Sequence, residues 1–188
     1  MKDILIFLFT VMCVFGQNAI GAEIPAKGPI IFEVDSIFVE RRPRDINELA
    51  AFFGKSEVFD SNYVDAIESL NRQNVFGKPD VDVGYLIYFE FYAETEGKWQ
   101  FEFVYDAGIA SGVFVDDEVI LFSDLDLWLN VNRPIVKTVT LKKGWHIFEF
   151  LALENGLGAP IRFRVKKPDS DKFKIISEDS LKMRTVAE

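Results

Sequence analysis

Alternation of apolar and polar residues is the strongest pattern in this chain, and it predicts amphipathic β-strands. In residues 98–105 every second side chain is aromatic, so four rings fall on one face of a strand; they are Trp99, Phe101, Phe103 and Tyr105. Residues 161–166 alternate in the same way, with apolar side chains on one face and Arg or Lys on the other. Further strands are predicted at residues 30–40, 85–93, 113–115, 119–122, 135–141 and 145–153.

Helical spacing is confined to the N-terminal half. Asp45 is a predicted N-cap with Glu48 three residues later, and Gly54 closes the segment. Between them an apolar stripe recurs at the spacing of one helix face; its members are Ile46, Leu49, Ala50 and Phe53. A weaker stripe of Tyr63, Ile67 and Leu70 predicts a second helix over residues 61–72. The chain is therefore predicted to be mainly β, an antiparallel sandwich or barrel with one or two short N-terminal helices.

The first 22 residues read as a cleaved signal peptide. Lys2 precedes an apolar run at residues 4–16, and small residues at 19–22 offer cleavage after Gly21 or Ala22. The run is shorter than the ~20 residues of a membrane-spanning helix, so no transmembrane segment is expected in the mature chain. Residues 23–167 are then one domain, and residues 168–188 a polar C-terminal tail on the surface or partly disordered. We expect an exported protein that is periplasmic, outer-membrane-associated or secreted.

Charge and rare residues exclude several classes of function. The net charge is −9, with no basic stretch of the kind that binds nucleic acid. Cys13 lies in the predicted signal peptide, and His146 is the only histidine. This leaves no residues for Ser-His-Asp or Cys-His catalysis as they are usually built, or for a His-rich zinc site. We expect that the chain is not an enzyme. His146 lies within a predicted strand, where we expect a partly buried structural residue.

Carboxylates are the remaining candidates for chemistry. Asp106, Asp116 and Asp117 are predicted at the ends of neighbouring strands, where they could converge in one loop cluster. Calcium takes several oxygen ligands, which clustered aspartates and loop carbonyls supply. The alternative is that residues 116–118 (DDE) form a solvated turn. Trp128 could stack on a sugar, or it could belong to the core.

Five segments, in order, resemble the core pattern of PA14-type domains, a β-sandwich family of toxins, glycosidases, adhesins and envelope proteins. They are residues 85–91 (YLIYFEF), 97–101 (GKWQF), 106–108 (DAG), 115–117 (VDD) and 143–146 (KGWH). The resemblance covers residues 83–166, and residues 30–82 correspond to the family's variable opening section. Sugar-binding members hold calcium with an adjacent Asp pair. Here Ala107 replaces the second Asp of that pair, so Asp106 and Asp116 carry over directly, with Asp117 as a substitute ligand.

Two functions remain open at this point, and both are non-catalytic. The first is a scaffold or accessory subunit of a bacterial cell-envelope assembly, such as an outer-membrane secretion or pilus complex, which binds an envelope protein partner. The second is a calcium-dependent carbohydrate-binding module that uses Asp106, Asp116 and Asp117, with Trp128 as the stacking ring. The partner is then a glycan.

Overall fold

The computed structural model describes residues 28–35, 42–78, 83–105, 108–116, 118–123, 134–153 and 160–184. In these residues two antiparallel sheets face each other. The larger sheet has the order β2-β1-β3-β8-β5-β6. Its strands are β1 (Ile30–Asp35), β2 (Val58–Tyr63), β3 (Val83–Ala93), β5 (Ala110–Val115), β6 (Glu118–Ser123), β8 (Gly144–Leu153) and β11 (Lys182–Arg184), which pairs with β3 beside β1.

The smaller sheet has the order β10-β9-β4-β7. Its strands are β4 (Gly97–Val104), β7 (Ile135–Leu141), β9 (Arg162–Lys166) and β10 (Lys174–Ile175). Every described strand pair is antiparallel, and the described residues of the N-terminal half contain two helices: α1 (Ile46–Phe53) and α2 (Arg72–Phe76). The predicted mainly β, antiparallel architecture is confirmed.

Aromatic rings fill the space between the two sheets. Phe148 of β8 is fully buried and stacks on Phe89 with ring centroids 4.6 Å apart. It also meets rings from the smaller sheet, Phe101 at 5.7 Å and Phe163 at 6.0 Å. The aromatic stripe of β4 points into this core, as the alternation predicts. Tilted and edge-on ring pairs add to the stabilisation that burial of their surface provides.

A second, smaller core lies on the opposite face of the larger sheet, where α1 packs. Leu49, Ala50 and Phe53 are buried there against side chains of β3, β5 and β8. Asp45 caps the helix, accepting from the backbone N–H groups of Asn47 and Glu48 at 2.9 Å. In a capping box the Glu48 carboxylate would accept from the backbone N–H of Asp45, but here it accepts from that of Arg44, one residue earlier.

The predicted helix over residues 61–72 is wrong. Its first residues belong to β2, which pairs with β1, and the next residues run along β9 and its neighbours. Ile67 donates its N–H to Ile176 at 2.9 Å, and Leu70 exchanges two backbone bonds with Ile161. Ile67 and Leu70 are buried as the stripe requires, but extended neighbours satisfy the backbone. Helix α2 begins only after these pairings end, with Asn71 as its N-cap.

Part of the predicted polar tail is paired with the sandwich. Strand β10 pairs with β9, and β11 pairs with the second half of β3. Arg184 of β11 forms an ion pair with Glu90 and lies 4.5 Å from the ring centroid of Trp145. Residues 174–184 therefore contribute to the edges of both sheets. The predicted signal peptide, residues 1–22, lies outside the described residues.

Candidate functional site

The described strands direct five internal segments of the chain to one end of the sandwich, which we call the loop end. Strand register shows this: Asp35 pairs with Val83, Gly84 with Leu153, and Ala110 with the same Leu153. Ser123 of β6 and Ile135 of β7 also fall at this end, opposite Ser111 and Phe103. The described residues on both sides of segments 79–82, 106–107, 124–133 and 154–159 lie at this end, and so does the residue before segment 36–41.

Two of the predicted site residues belong to these segments. Asp106 and Trp128 lie outside the described residues, but their described neighbours are at the loop end. Tyr105 precedes Asp106 and is buried, and its hydroxyl forms a hydrogen bond of 2.8 Å with the Ser111 hydroxyl of β5. Burial raises the pKa of the Tyr105 phenol to about 12, and the hydrogen bond with Ser111 opposes this effect. A buried anchor thus stands beside the connection that contains Asp106.

Asp116 lies at the opposite end of β5 and is held by hydrogen bonds within the protein. Its backbone N–H donates to the carbonyl of Ile147 at 2.8 Å, and its Oδ1 accepts from the N–H of Ile147 at 3.0 Å. The second carboxylate oxygen, Oδ2, lies 2.8 Å from His146 Nδ1. The backbone φ of Asp116 is 54°, in the left-handed region, which Asp tolerates better than most residues. Asp116 therefore fastens the β5–β6 turn to the start of β8.

His146 completes this network. Its Nε2 lies 2.8 Å from the carbonyl oxygen of Lys142, and its ring packs against Phe91. Because a carbonyl oxygen only accepts, Nε2 carries a proton, and a proton on Nδ1 would be donated to the Asp116 carboxylate. The residue is buried and both ring nitrogens have partners, which confirms the prediction of a structural histidine.

The separation of the two ends bears on the calcium hypothesis. The six residues of β5 span about 20 Å at roughly 3.3 Å per residue. Calcium ligands lie about 2.3–2.6 Å from the ion. Asp116 is at one end of β5 and the described neighbours of Asp106 are at the other, which argues against one ion held by both. Asp117 lies outside the described residues, and among those described no group of three or more acidic or histidine side chains is arranged to hold a metal.

Several solved structures have the same architecture as this chain. The PA14 sugar-binding domain of an RTX adhesin superposes with a TM-score of 0.66 at 12% identity, over 85% of this chain and 99% of that one. The PA14 domain of an antifreeze protein gives 0.63 at 11% identity, over 89% and 97%. The chain has a PA14-type fold.

A third PA14-like neighbour is the A domain of epithelial adhesin 6 from Candida glabrata, solved with Galβ1-3GlcNAc. Its TM-score is 0.57 at 12% identity, over 88% of this chain and 90% of that one. No protein-family model matches the sequence, and no curated protein is significantly similar to it. The resemblance in strand order and motifs thus corresponds to a real similarity of fold, at identities where sequence comparison finds nothing. No helix in the described part of the chain is long and apolar enough to cross a membrane.

Proposed function

We propose that this PA14-like domain is a non-catalytic carbohydrate-binding module whose ligand site is at the loop end. The observation that carries the proposal is the similarity, over most of both chains, to domains described as sugar-binding or solved with a bound disaccharide. The loop end adds support, because the described residues on either side of the segments that contain Asp106 and Trp128 lie there. Loops gathered at one end of a rigid sandwich commonly form binding sites.

Calcium enters this proposal through Asp106, with carbonyl or carboxylate oxygens of the neighbouring segments as further ligands. Trp128 would offer its ring to one face of a sugar. Asp116 has a different part, because both of its carboxylate oxygens already bond to the start of β8. None of the similar structures named above is described as a subunit of an envelope assembly, so the accessory-subunit hypothesis gains no support from them.

The test is a glycan titration with calcium present and with calcium chelated. Galβ1-3GlcNAc, the ligand of the adhesin 6 complex, is the first probe on a wider panel of neutral glycans. Asp106→Asn is expected to abolish calcium-dependent binding, and Trp128→Ala to weaken it about three- to tenfold, the value of an aromatic contact. The exposed Asp169→Asn is the matched control and leaves binding unchanged. Calcium-independent folding with no glycan bound in either condition would refute the proposal.

Export is a separate part of the proposal. The apolar run, the polar break and the small residues before position 23 support it. Intact-mass measurement of the protein from its producing cells should give a chain that begins at Ala22 or Glu23 and is found outside the cytoplasm. An uncleaved Met1 on cytoplasmic protein would exclude export and leave the binding proposal standing.

A further inference from the structure

The outer face of the smaller sheet is basic, although the protein as a whole is acidic. Cross-strand register places Gln100 opposite Lys166, Glu102 opposite Arg164, and Val104 opposite Arg162. Because the alternate residues of β4 and β9 fill the core, these side chains share the outward face. Thr138 and Thr140 of β7 join it opposite Gln100 and Lys98. We call this surface the basic face; its charged members are Lys98, Glu102, Arg162, Arg164 and Lys166.

Four cations and one carboxylate lie on the basic face among the described residues, in a chain whose net charge is −9. Arg164 is the cation that the carboxylate neutralises, since it forms an ion pair with the buried Glu102. In the described part of the chain no ion pair involves Lys98, Arg162 or Lys166. The face therefore carries positive charge that no ion pair among the described residues neutralises.

Two further features concern the surroundings of the cations. The Nε of Arg162 is buried and has no hydrogen-bond partner among the described residues, although a buried guanidinium N–H normally has one. At the edge of the face, the Phe173 ring has Lys166 Nζ 5.5 Å and Arg164 5.7 Å from its centroid. Both helices pack on strands of the larger sheet, so neither covers this surface.

The spacing of the cations suits an extended chain. Arg162, Arg164 and Lys166 occupy alternate positions of β9, so their Cα atoms follow one another at about 6.6–6.8 Å. Such a row matches charges that repeat along a linear polymer. Arg also presents paired N–H donors that match the oxygens of a carboxylate or sulfate group.

We propose that the basic face binds a linear acidic polysaccharide, with the cations of β9 contacting successive carboxylate or sulfate groups and Phe173 contacting a sugar ring. The class of ligand rests on the proposed carbohydrate binding, but the site is a different surface from the loop end. Double-stranded DNA is the less suitable polyanion: its phosphates occur every ~1.7 Å of helix axis, so much denser charge would meet a protein of net charge −9.

The full chain is tested in 50 mM salt against polygalacturonate, dextran sulfate and neutral dextran. Arg162→Gln with Lys166→Gln is expected to weaken binding of the acidic polymers about fivefold or more, the value of two partly exposed ion pairs, and to leave neutral dextran unbound. The control, Lys55→Gln with Lys143→Gln, removes the same charge from exposed positions off this face and keeps the affinity. The two acidic polymers distinguish carboxylate from sulfate recognition. If the double variant does not fold, the exposed Lys98→Gln replaces it.

Three results would overturn the inference. One is that neither acidic polymer binds. The second is that the control pair weakens binding as much as the test pair, which indicates nonspecific attraction. The third is that duplex DNA or polyglutamate binds as tightly with the same dependence on Arg162, which indicates a general polyanion surface. Asp106→Asn separates this site from the loop end: loss of neutral-glycan binding with acidic-polymer binding retained is expected, and loss of both would assign the acidic polymer to the loop end.

Discussion

The two outer faces of the sandwich are built differently, although both belong to antiparallel sheets. On the larger sheet, the first seven residues of β3 are all buried, because the inner core lies on one side and α1 on the other. On the smaller sheet, β9 alternates between buried core residues and half-buried cations. The outward residues of β3 are thus apolar where α1 packs, whereas those of β9 are charged and neither described helix packs on them. We call the outer face of the larger sheet the covered face and that of the smaller sheet the open face.

Truncation of the covered face should have the largest effect. Leu49→Ala removes a fully buried side chain of α1 and leaves a cavity against the larger sheet. We expect a loss of about 2–5 kcal/mol in the free energy of unfolding, measured by urea denaturation. Thr138→Ala on the open face should stay within about 0.5 kcal/mol of the parent. Similar losses for the two variants would remove the distinction between the faces.

The next largest loss of stability is expected where α1 lies closest to the larger sheet. A Cβ at Gly112 of β5 would lie 2.1 Å from Ile46 Cδ1 and 3.3 Å from Leu49 Cδ2. Gly112→Ala should therefore cost about 1–3 kcal/mol, because the helix or the Ile46 side chain must move. Ile46→Val removes the nearest atom, so the double variant should recover part of the loss. A double-mutant cycle of urea midpoints gives the coupling, and additive losses would mean that this contact does not limit the approach.

A substitution at Asp116 distinguishes a structural role of this residue from a role as a calcium ligand. Asp116→Asn keeps a residue that tolerates the left-handed backbone but removes the charge that faces His146. Because the carboxylate is 47% exposed, the expected loss is only about 1–2 kcal/mol, and it should be equal with calcium and with chelator. Thermal unfolding in both conditions measures it. A calcium-dependent stabilisation of the parent that this substitution abolishes would instead make Asp116 a ligand.

Sequence periodicity was enough to predict the strands that carry the core and the helix on the covered face. Strands β3, β4, β8 and β9 and helix α1 have patterns that local geometry alone specifies, because each buries a complete face. The helix predicted at residues 61–72 failed because Tyr63, Ile67 and Leu70 fit a helical spacing by chance. Their backbone groups bond to strands far away in sequence, and no local pattern contains that pairing.

The arrangement of the predicted site residues could not be obtained from the sequence. Asp106 and Asp116 are ten residues apart, and sequence order alone placed them in one cluster. The register of β5 on β8 assigns Asp116 to one end and the neighbours of Asp106 to the other. In contrast, the alternating cations of residues 162–166 were visible in the sequence. Their importance depends on the neighbouring strands, which bring a single carboxylate to them.

The smallest change in stability is expected from the polar contact inside the core between the two sheets. Tyr105 follows β4 of the smaller sheet, and its hydroxyl reaches Ser111 of the larger one. Because burial raises the pKa of Tyr105 to about 12 from an unfolded value near 10, the unfolded chain loses this proton first as the pH rises. Unfolding then becomes more favourable with increasing pH, by about 1 kcal/mol at pH 11.

Tyr105→Phe tests this contribution against the parent. At pH 7 the variant should lose about 1 kcal/mol, because the buried Ser111 hydroxyl is left without its partner. Between pH 10 and 12 the stability of the variant should fall less steeply with pH than that of the parent. Burial also raises the pKa of Tyr88, but Tyr88 is present in both proteins. The difference between the two slopes is therefore the contribution of Tyr105 alone. Adding Ser111→Ala should restore stability at pH 7 without restoring the slope. Parallel alkaline profiles for parent and variant would mean that the Tyr105 phenol ionises as freely in the folded protein as in the unfolded chain, and that the contact between the sheets is open to solvent.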